Sequence, residues 1–241
     1  MKDQTRLDAQ PAFILHSYPY RETSLIVEAF AREQGRLGLM ARGARRPKSS
    51  LRGVLLPFQP LLLSWAGRRE LRTLTRAEWS GGYAPLKGKA LICGFYLNEL
   101  LIKLLPRDDP HEHLFSLYEK TLAGLASGAD RAAILRRFEI NLLGELGYAI
   151  EMDHEVERGV PVARERNYVY VVERGPVDVG DGAPRNGVEL SGQTLIDMRS
   201  GDFTSPTTQQ QSKALMRTLI NHYLGNQVLH TRQLLRDLQE I

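Results

Sequence analysis

The sequence predicts an α+β chain: a small five-stranded barrel over residues 1–80, then a helical domain over residues 81–241. Three observations carry this. Apolar residues come in short, strand-length runs up to Trp79 and in long, helix-length runs beyond it. A long, densely charged connection follows the third short run. Charge divides the same way: residues 1–80 hold 14 Lys and Arg against 7 Asp and Glu, and residues 81–241 hold 18 against 21. The overall +4 therefore joins a basic module to a mildly acidic one, the pattern of a polyanion-binding part attached to a part with another task. With 42% hydrophobic and 25% charged residues, the composition is that of a globular chain able to bury a core in each module.

Taken in order, "AFILHS" (12–17) is the first strand and "PYRET" turns the chain. "SLIVEAF" (24–30) alternates loosely as the second strand, Gly35 marks a tight turn, and "LGLMAR" (37–42) is the third. After the charged connection, "PLLLSW" (60–65) and "ELRTLTRAEW" (70–79) form a pair joined across "AGRR" with its Gly67. Five short strands with one long connection after the third suggest a small barrel, for which the oligonucleotide-binding (OB) type is the natural candidate. The stretch "SGGYAP" (80–85) marks the boundary.

Beyond it, "ALICGFYLNELLIKLL" (90–105) is apolar nearly all round, as a helix at the centre of a bundle is. It is shorter than a membrane span needs, and Asn98, Glu99 and Lys103 interrupt it, so no membrane partner is expected. Pro110 can open the next helix at its first position. Asp130 can cap the third helix and Gly147 close it, and Ser191 and Thr207 can start two more. "TRQLLRDLQEI" forms the last. Residues 151–190 are less regular: acidic at first, then "NYVYVV", then Gly- and Pro-rich.

The charged connection, "ARGARRPKSSLRG" (41–53), holds Arg42, Arg45, Arg46, Lys48 and Arg52 with no acid among them. It reads as a flexible loop. Five like charges repel one another and call for a counter-charge: a membrane surface, an acidic protein or a nucleic acid. Charge runs are most often solvated loops. Here the run follows a strand of a barrel, is flanked by Gly43 and Gly53, and shares its module with Arg36, Arg68, Arg69, Arg72 and Arg76. Arg36 and Arg72 join the loop in the expected DNA-binding set. Tyr18, Tyr20, Phe58 and Trp65 can stack bases, although a barrel needs large apolar fill as well.

Other chemistries find little support. One cysteine, Cys93, excludes an internal disulfide and sits in an apolar run as a buried thiol would. The N-terminus has no apolar segment of secretory type. "HEH" (111–113) and "EMDHEVE" (151–157) lack the paired spacing of a structural zinc site, so no metal and no cofactor are expected. There is no phosphate-binding Gly-Lys-Ser/Thr loop, nucleophile elbow or His-Glu-x-x-His helix. Asp108 and Asp109 can start a metal-dependent nuclease site, but they also suit a turn before Pro110.

The third helix has two apolar faces, Ile134, Phe138 and Leu142 on one and Ile140 and Leu143 nearly opposite, with Arg136 beside the second. Either it is buried on both sides, or one face is a groove. An arginine at the rim of an apolar groove suits a peptide with a hydrophobic anchor and a carboxylate.

"AFILHSYPYRETSLIVEAF", "GRLGLMARGARRPKSSLRGVLLPFQPLLLSW", "LNELL", "LRRFEINLLGELGY" and "YLGNQVLHTRQLLRDL" together resemble, in the same order, the bacterial RecO family of recombination mediators. The resemblance implies an N-terminal OB barrel and a helical C-terminal domain. It implies binding of single- and double-stranded DNA, annealing of complementary strands, and help in loading RecA onto DNA coated by single-strand-binding protein. The implied partners are RecR, with RecF in some settings, and the acidic, phenylalanine-ended tail of single-strand-binding protein, captured on the helical domain. On the third helix, Ile140 and Leu143 would take the aromatic ring, Arg136 the carboxylate, and Arg137 the neighbouring acids. Such a protein works in the cytoplasm at the nucleoid and is not an enzyme. Many members carry a four-cysteine zinc module after the segment matching "LGELGY"; this chain has "AIEMDHEVERG" there, as in a zinc-free branch. A metal-dependent nuclease and an RNA-binding barrel fused to an interaction domain remain as alternatives.

Overall fold

The computed structural model describes residues 6–68, 70–180 and 186–237. It contains eight strands and six helices among these residues and divides into two compact units, one of residues 1–129 with 229–241, the other of residues 130–228.

The first unit is built on a closed barrel of β1 (Arg6–Tyr20), β2 (Ser24–Ala31), β3 (Gly35–Ala41), β4 (Leu61–Ala66) and β5 (Leu71–Trp79), in the order β1-β2-β3-β5-β4. Neighbours run antiparallel except β3 and β5, whose parallel pairing closes the barrel. This is the OB-type arrangement the strand pattern predicts. β1 is longer than its apolar run, because its ends pair with β4 on one side and with β2 up to Tyr20↔Ser24 on the other. It bends at Ala9, where φ is +51 and the ladder to β4 shifts register.

The loose alternation in β1 and β2 has a physical cause: both faces are buried. Ala12, Ile14, Val27, Ala29 and Ala31 fill the barrel with Leu37, Leu39, Leu61, Leu63 and Trp65. Phe13 and Phe30, paired across the ladder, point outward. They meet Phe115 of α2 (Glu112–Ala126) at 5.4 Å each, and Phe13 meets Tyr118 edge-on at 5.1 Å. Each such pair adds about 0.5–1.5 kcal/mol beyond its buried area.

The apolar run at 90–105 is α1 (Gly88–Leu104). Its polar interruptions have work inside the unit. Asn98, buried, donates to the Leu15 carbonyl and accepts from the Tyr118 hydroxyl. Glu99 accepts the backbone N–H groups of His230 and Thr231, both at 2.9 Å, at the start of α6 (His230–Asp237), with Lys103 at 3.0 Å. The last helix of the chain is thus tied to α1 through Glu99. Residues 238–241 of the expected terminal helix lie outside the described residues.

Pro110 does not open α2 at its first position; it precedes the cap residue His111. The preceding segment is instead held on the barrel. The Asp108 N–H donates to the Arg36 carbonyl at 2.9 Å, and at Gly35 (φ +66) an added Cβ would lie 1.9 Å from the Asp109 carbonyl oxygen.

The second unit begins with α3 (Arg131–Glu145), capped by Asp130, whose side chain accepts from Ala132 N. It ends at Gly147 (φ +82) with bonds from Gly147 N to Gly144 and from Tyr148 N to Leu143, the paired closure that a left-handed residue permits. α4 (Gly192–Ser200) is capped by Ser191 as expected. α5 (Pro206–Leu224) starts from Ser205 with Pro206 at its first position, two residues before the expected Thr207. The irregular stretch contains a three-stranded antiparallel sheet, β7-β6-β8, of β6 (Asn167–Val171), β7 (Gly175–Asp178) and β8 (Val188–Ser191). The part expected to be helical therefore carries a small sheet as well. Strands of four or five residues are too short for a period to show.

The acidic segment before that sheet folds on its own carboxylates. Glu151 accepts from Asp153 N (2.7 Å) and His154 N (3.0 Å), and buried Glu155 accepts from Glu157 N (2.7 Å) and Arg158 N (2.9 Å). Burial alone would raise the Glu155 carboxyl. The two backbone N–H groups and the Arg158 guanidinium outweigh it and hold the carboxyl below the usual range.

Candidate nucleic-acid interface

The charged connection after β3, read from the sequence as a flexible loop, is folded into turns. Successive turns run through it: Arg46 N to Gly43 O (3.0 Å), Ser49 N to Arg46 O (3.0 Å), Arg52 N to Ser49 O (3.3 Å) and Leu55 N to Leu51 O (3.2 Å). Arg45 N also donates to Thr23 O at 2.8 Å, which pins the loop to the β1–β2 turn. Ala44 and Leu55 are buried in the barrel core, with Leu51 and Val54 packed against it. The apolar residues that punctuate the cations anchor them.

Arg42, Arg45, Arg46, Lys48 and Arg52 all lie exposed on this frame. Arg45 Nη1 donates to the Arg21 carbonyl at 3.3 Å. Among the described residues no ion pair joins any of the five to a carboxylate, while other arginines of the barrel are paired. The loop carries its positive charge without a carboxylate partner on a hydrogen-bonded frame, a concentrated cationic patch of the kind that attracts anions.

The other barrel arginines stand differently. Arg36 donates to the Leu105 carbonyl (2.9 Å) and pairs with buried Glu28 (3.2 Å), which also pairs with Arg107. Arg72 pairs with Asp108 at 2.7 Å, and Arg76 with Glu78 at 2.6 Å. Arg36 and Arg72, expected to meet DNA, are struts between the barrel and the α1–α2 connection, because the carboxylates folded against them take up their charge. The same pair explains Asp108, which faces an arginine. Arg68 is exposed, and Arg69 lies outside the described residues.

Two of the four expected stacking aromatics are core: Trp65 and Phe58 are buried. Tyr18 is exposed, with the His16 ring 4.4 Å away, and Tyr20 lies under the Arg21 guanidinium. The aromatic the sequence reading passed over is Trp79, 64% exposed at the end of β5. Its direct ladder partner is core residue Leu61. Direct antiparallel partners project to one side, so Trp79 faces the barrel's interior side at its open mouth. Strand alternation in "TRAEW" marks the face; only the barrel's end makes it exposed.

In the second unit, α3 is buried on both of its apolar faces. Phe138, Leu142 and Leu143 are fully buried and Ile140 is half-buried. Arg136 donates Nη2 to Glu139 Oε1 at 2.9 Å and places Nη1 2.6 Å from Oε2 as an ion pair, with the Glu139 side chain fully buried. The expected groove wall at Leu143 and the expected carboxylate-binding fork at Arg136 are thus interior. Arg137 is exposed and spends two donors on the Gly201 carbonyl.

Among the described residues no three His, Cys, Asp or Glu side chains form a group that could hold a metal ion, and no helix is long and apolar enough to cross a membrane.

The family model for the recombination protein O N terminus matches residues 6–83, and that for the recombination protein O C terminus matches residues 86–233. The chain is similar along its length to proteins named DNA repair protein RecO. It is 56% identical to that of Nitrosospira multiformis over 239 residues, covering 99% of each chain. It is 55% identical to that of Aromatoleum aromaticum and 53% to that of an Azoarcus species, covering 100% of each chain in both cases. Barrel and C-terminal part each match their own model in order, and the whole length aligns with relatives above half identity: the chain belongs to the RecO family.

Proposed function

We propose that this protein is a DNA-binding recombination mediator that works without a covalent step. It anneals complementary strands and helps load RecA onto DNA coated by single-strand-binding protein, in the cytoplasm at the nucleoid. Its partners are single- and double-stranded DNA, the acidic tail of single-strand-binding protein, and RecR, with RecF in some settings. The observation that carries the reading is the acid-free loop, with five exposed cations held on a folded frame. A mediator has to hold a backbone without reading sequence, and phosphate contacts do that. Annealing brings two polyanions together, and a dense cationic surface screens their repulsion. Membership of a family whose relatives are named DNA repair proteins supports the same reading.

For the tail of single-strand-binding protein, Arg137, exposed, and Ile140, half-buried, are the two of the four expected α3 residues with surface to offer, and they carry that part of the proposal. Arg136 and Leu143 support them from within.

The test is the salt dependence of binding. Five single-strand phosphate contacts give a slope of about −3.5 in log K against log salt, or roughly a hundredfold loss between 50 and 200 mM. Replacing Arg42, Arg45, Arg46, Lys48 and Arg52 together by Ala flattens that slope and abolishes annealing. An unchanged slope would place DNA elsewhere. Magnesium-dependent cleavage of labelled DNA, or preference for RNA over DNA of equal length, would favour the alternatives.

A further inference from the structure

Beside the cationic loop, in the same compact unit, lies an apolar groove to which phosphate binding assigns no role. Its cavity measures about 480 Å³, within the range of small-molecule sites. Gly53 and Val54 of the loop, Leu56, Phe58, Trp79 and Leu86 are among the residues that line it. Trp79 is 64% exposed, Leu56 51% and the neighbouring Phe95 40%. Large apolar side chains gathered at the surface mark an interaction site.

The floor is preformed. Phe58 is buried although its backbone has φ +66, a conformation that persists in a non-glycine residue only where the surroundings enforce it. Phe95 packs edge-on against it at 5.0 Å. Gly94 of α1 leaves its ring space: an added Cβ there would lie 2.9 Å from Phe58 Cε1.

We propose that this groove receives an unpaired nucleobase, stacked on Trp79, from the strand whose phosphates lie on the loop. Arg52 immediately precedes Gly53, and exposed Lys87 and Lys89 follow Leu86, so cations flank the groove in both directions along the chain. Among the described residues no charged side chain lines the groove; Gln59 is the polar side chain on it, beside the indole of Trp79. That suits a neutral aromatic ring with polar edges attached to an anionic backbone. A peptide anchored by a carboxylate would need a cation inside the groove. The inference rests on DNA binding by the loop, and it separates single strands, whose bases are free, from duplexes, whose bases are paired.

The test uses the full chain with a thymidine oligonucleotide and an abasic strand of equal length. The chain has two tryptophans, and Trp65 is buried, so ligand-induced quenching reports Trp79. The thymidine strand quenches it and the abasic strand does not. Trp79→Ala weakens the thymidine strand about five- to 150-fold, from the usual worth of one stacked base, and leaves the abasic strand and duplex unchanged. Trp79→Phe retains most of the affinity. No loss on the thymidine strand, or an equal loss on both strands, overturns the inference. So does quenching by an acidic, phenylalanine-ended peptide in place of the oligonucleotide. Failure of the loop reading is seen separately, as binding of the abasic strand that survives neutralisation of the five loop cations.

Discussion

Replacing Arg136 by Ala is expected to destabilise the second unit more than it affects any ligand. Arg136 has 11% of its side chain exposed, and its fork grips both oxygens of Glu139, whose side chain is fully buried. Removing one partner of a buried ion pair costs about 3–5 kcal/mol, because the remaining charge keeps its desolvation penalty and loses its counter-charge. That is a large fraction of the roughly 5–15 kcal/mol that holds a domain together. At about 4–8 °C per kcal/mol for a unit of roughly 100 residues, such as residues 130–228, thermal unfolding of this unit should move down by roughly 12–40 °C, seen by circular dichroism. Arg136→Met combined with Glu139→Leu should recover most of the loss, since a buried pair exchanged for apolar residues of similar size is close to neutral. A native melting curve for Arg136→Ala would refute the reasoning and make the pair worth no more than a surface contact. The same arithmetic governs peptide binding. A loss of tail affinity in Arg136→Ala has to be read against unfolding, whereas Arg137→Ala probes exposed surface.

Three further perturbations test the frame. The Glu99 carboxyl is raised by burial but lowered further by its bonds from Thr231, His230 and Lys103, leaving it below the usual range. Its hold on α6 is therefore complete above the ordinary carboxylate range and lost as the pH falls through the lowered folded pKa. Glu99→Ala should remove about 0.5–2 kcal/mol of capping and increase amide exchange at residues 230 and 231. Asn98→Leu deprives the Leu15 carbonyl and the Tyr118 hydroxyl of their buried partner, at about 1–3 kcal/mol for each group left unmet, measured by denaturant unfolding. Gly35→Ala carries roughly 1–3 kcal/mol of left-handed backbone strain and drives a methyl into the Asp109 carbonyl; a wild-type midpoint would contradict that close approach.

The barrel's five strands, the long connection after the third, the helices expected at 90–105 and 131–147 and observed at Gly88–Leu104 and Arg131–Glu145, and the cap at Asp130 are all legible in the sequence. These follow from periodicity and turn chemistry, which act over a few neighbouring residues. The five cations of the loop are legible there as a set too, because no acid lies near them in the chain. The tertiary structure alone decided which charges remain free. Arg36 and Arg72 look like the loop arginines in sequence, yet Glu28 and Asp108 lie against them only once β2 and the α1–α2 connection are in place. Position along the chain does not tell a paired arginine from an unpaired one; the difference lies in a partner supplied by another element. Trp79 and Trp65 show the same for burial. They lie near the C-terminal ends of neighbouring strands, but Trp65 is buried inside the closed barrel while Trp79 is exposed. Local pattern sets the face on which a side chain emerges, and its exposure depends on what distant segments bring to cover it.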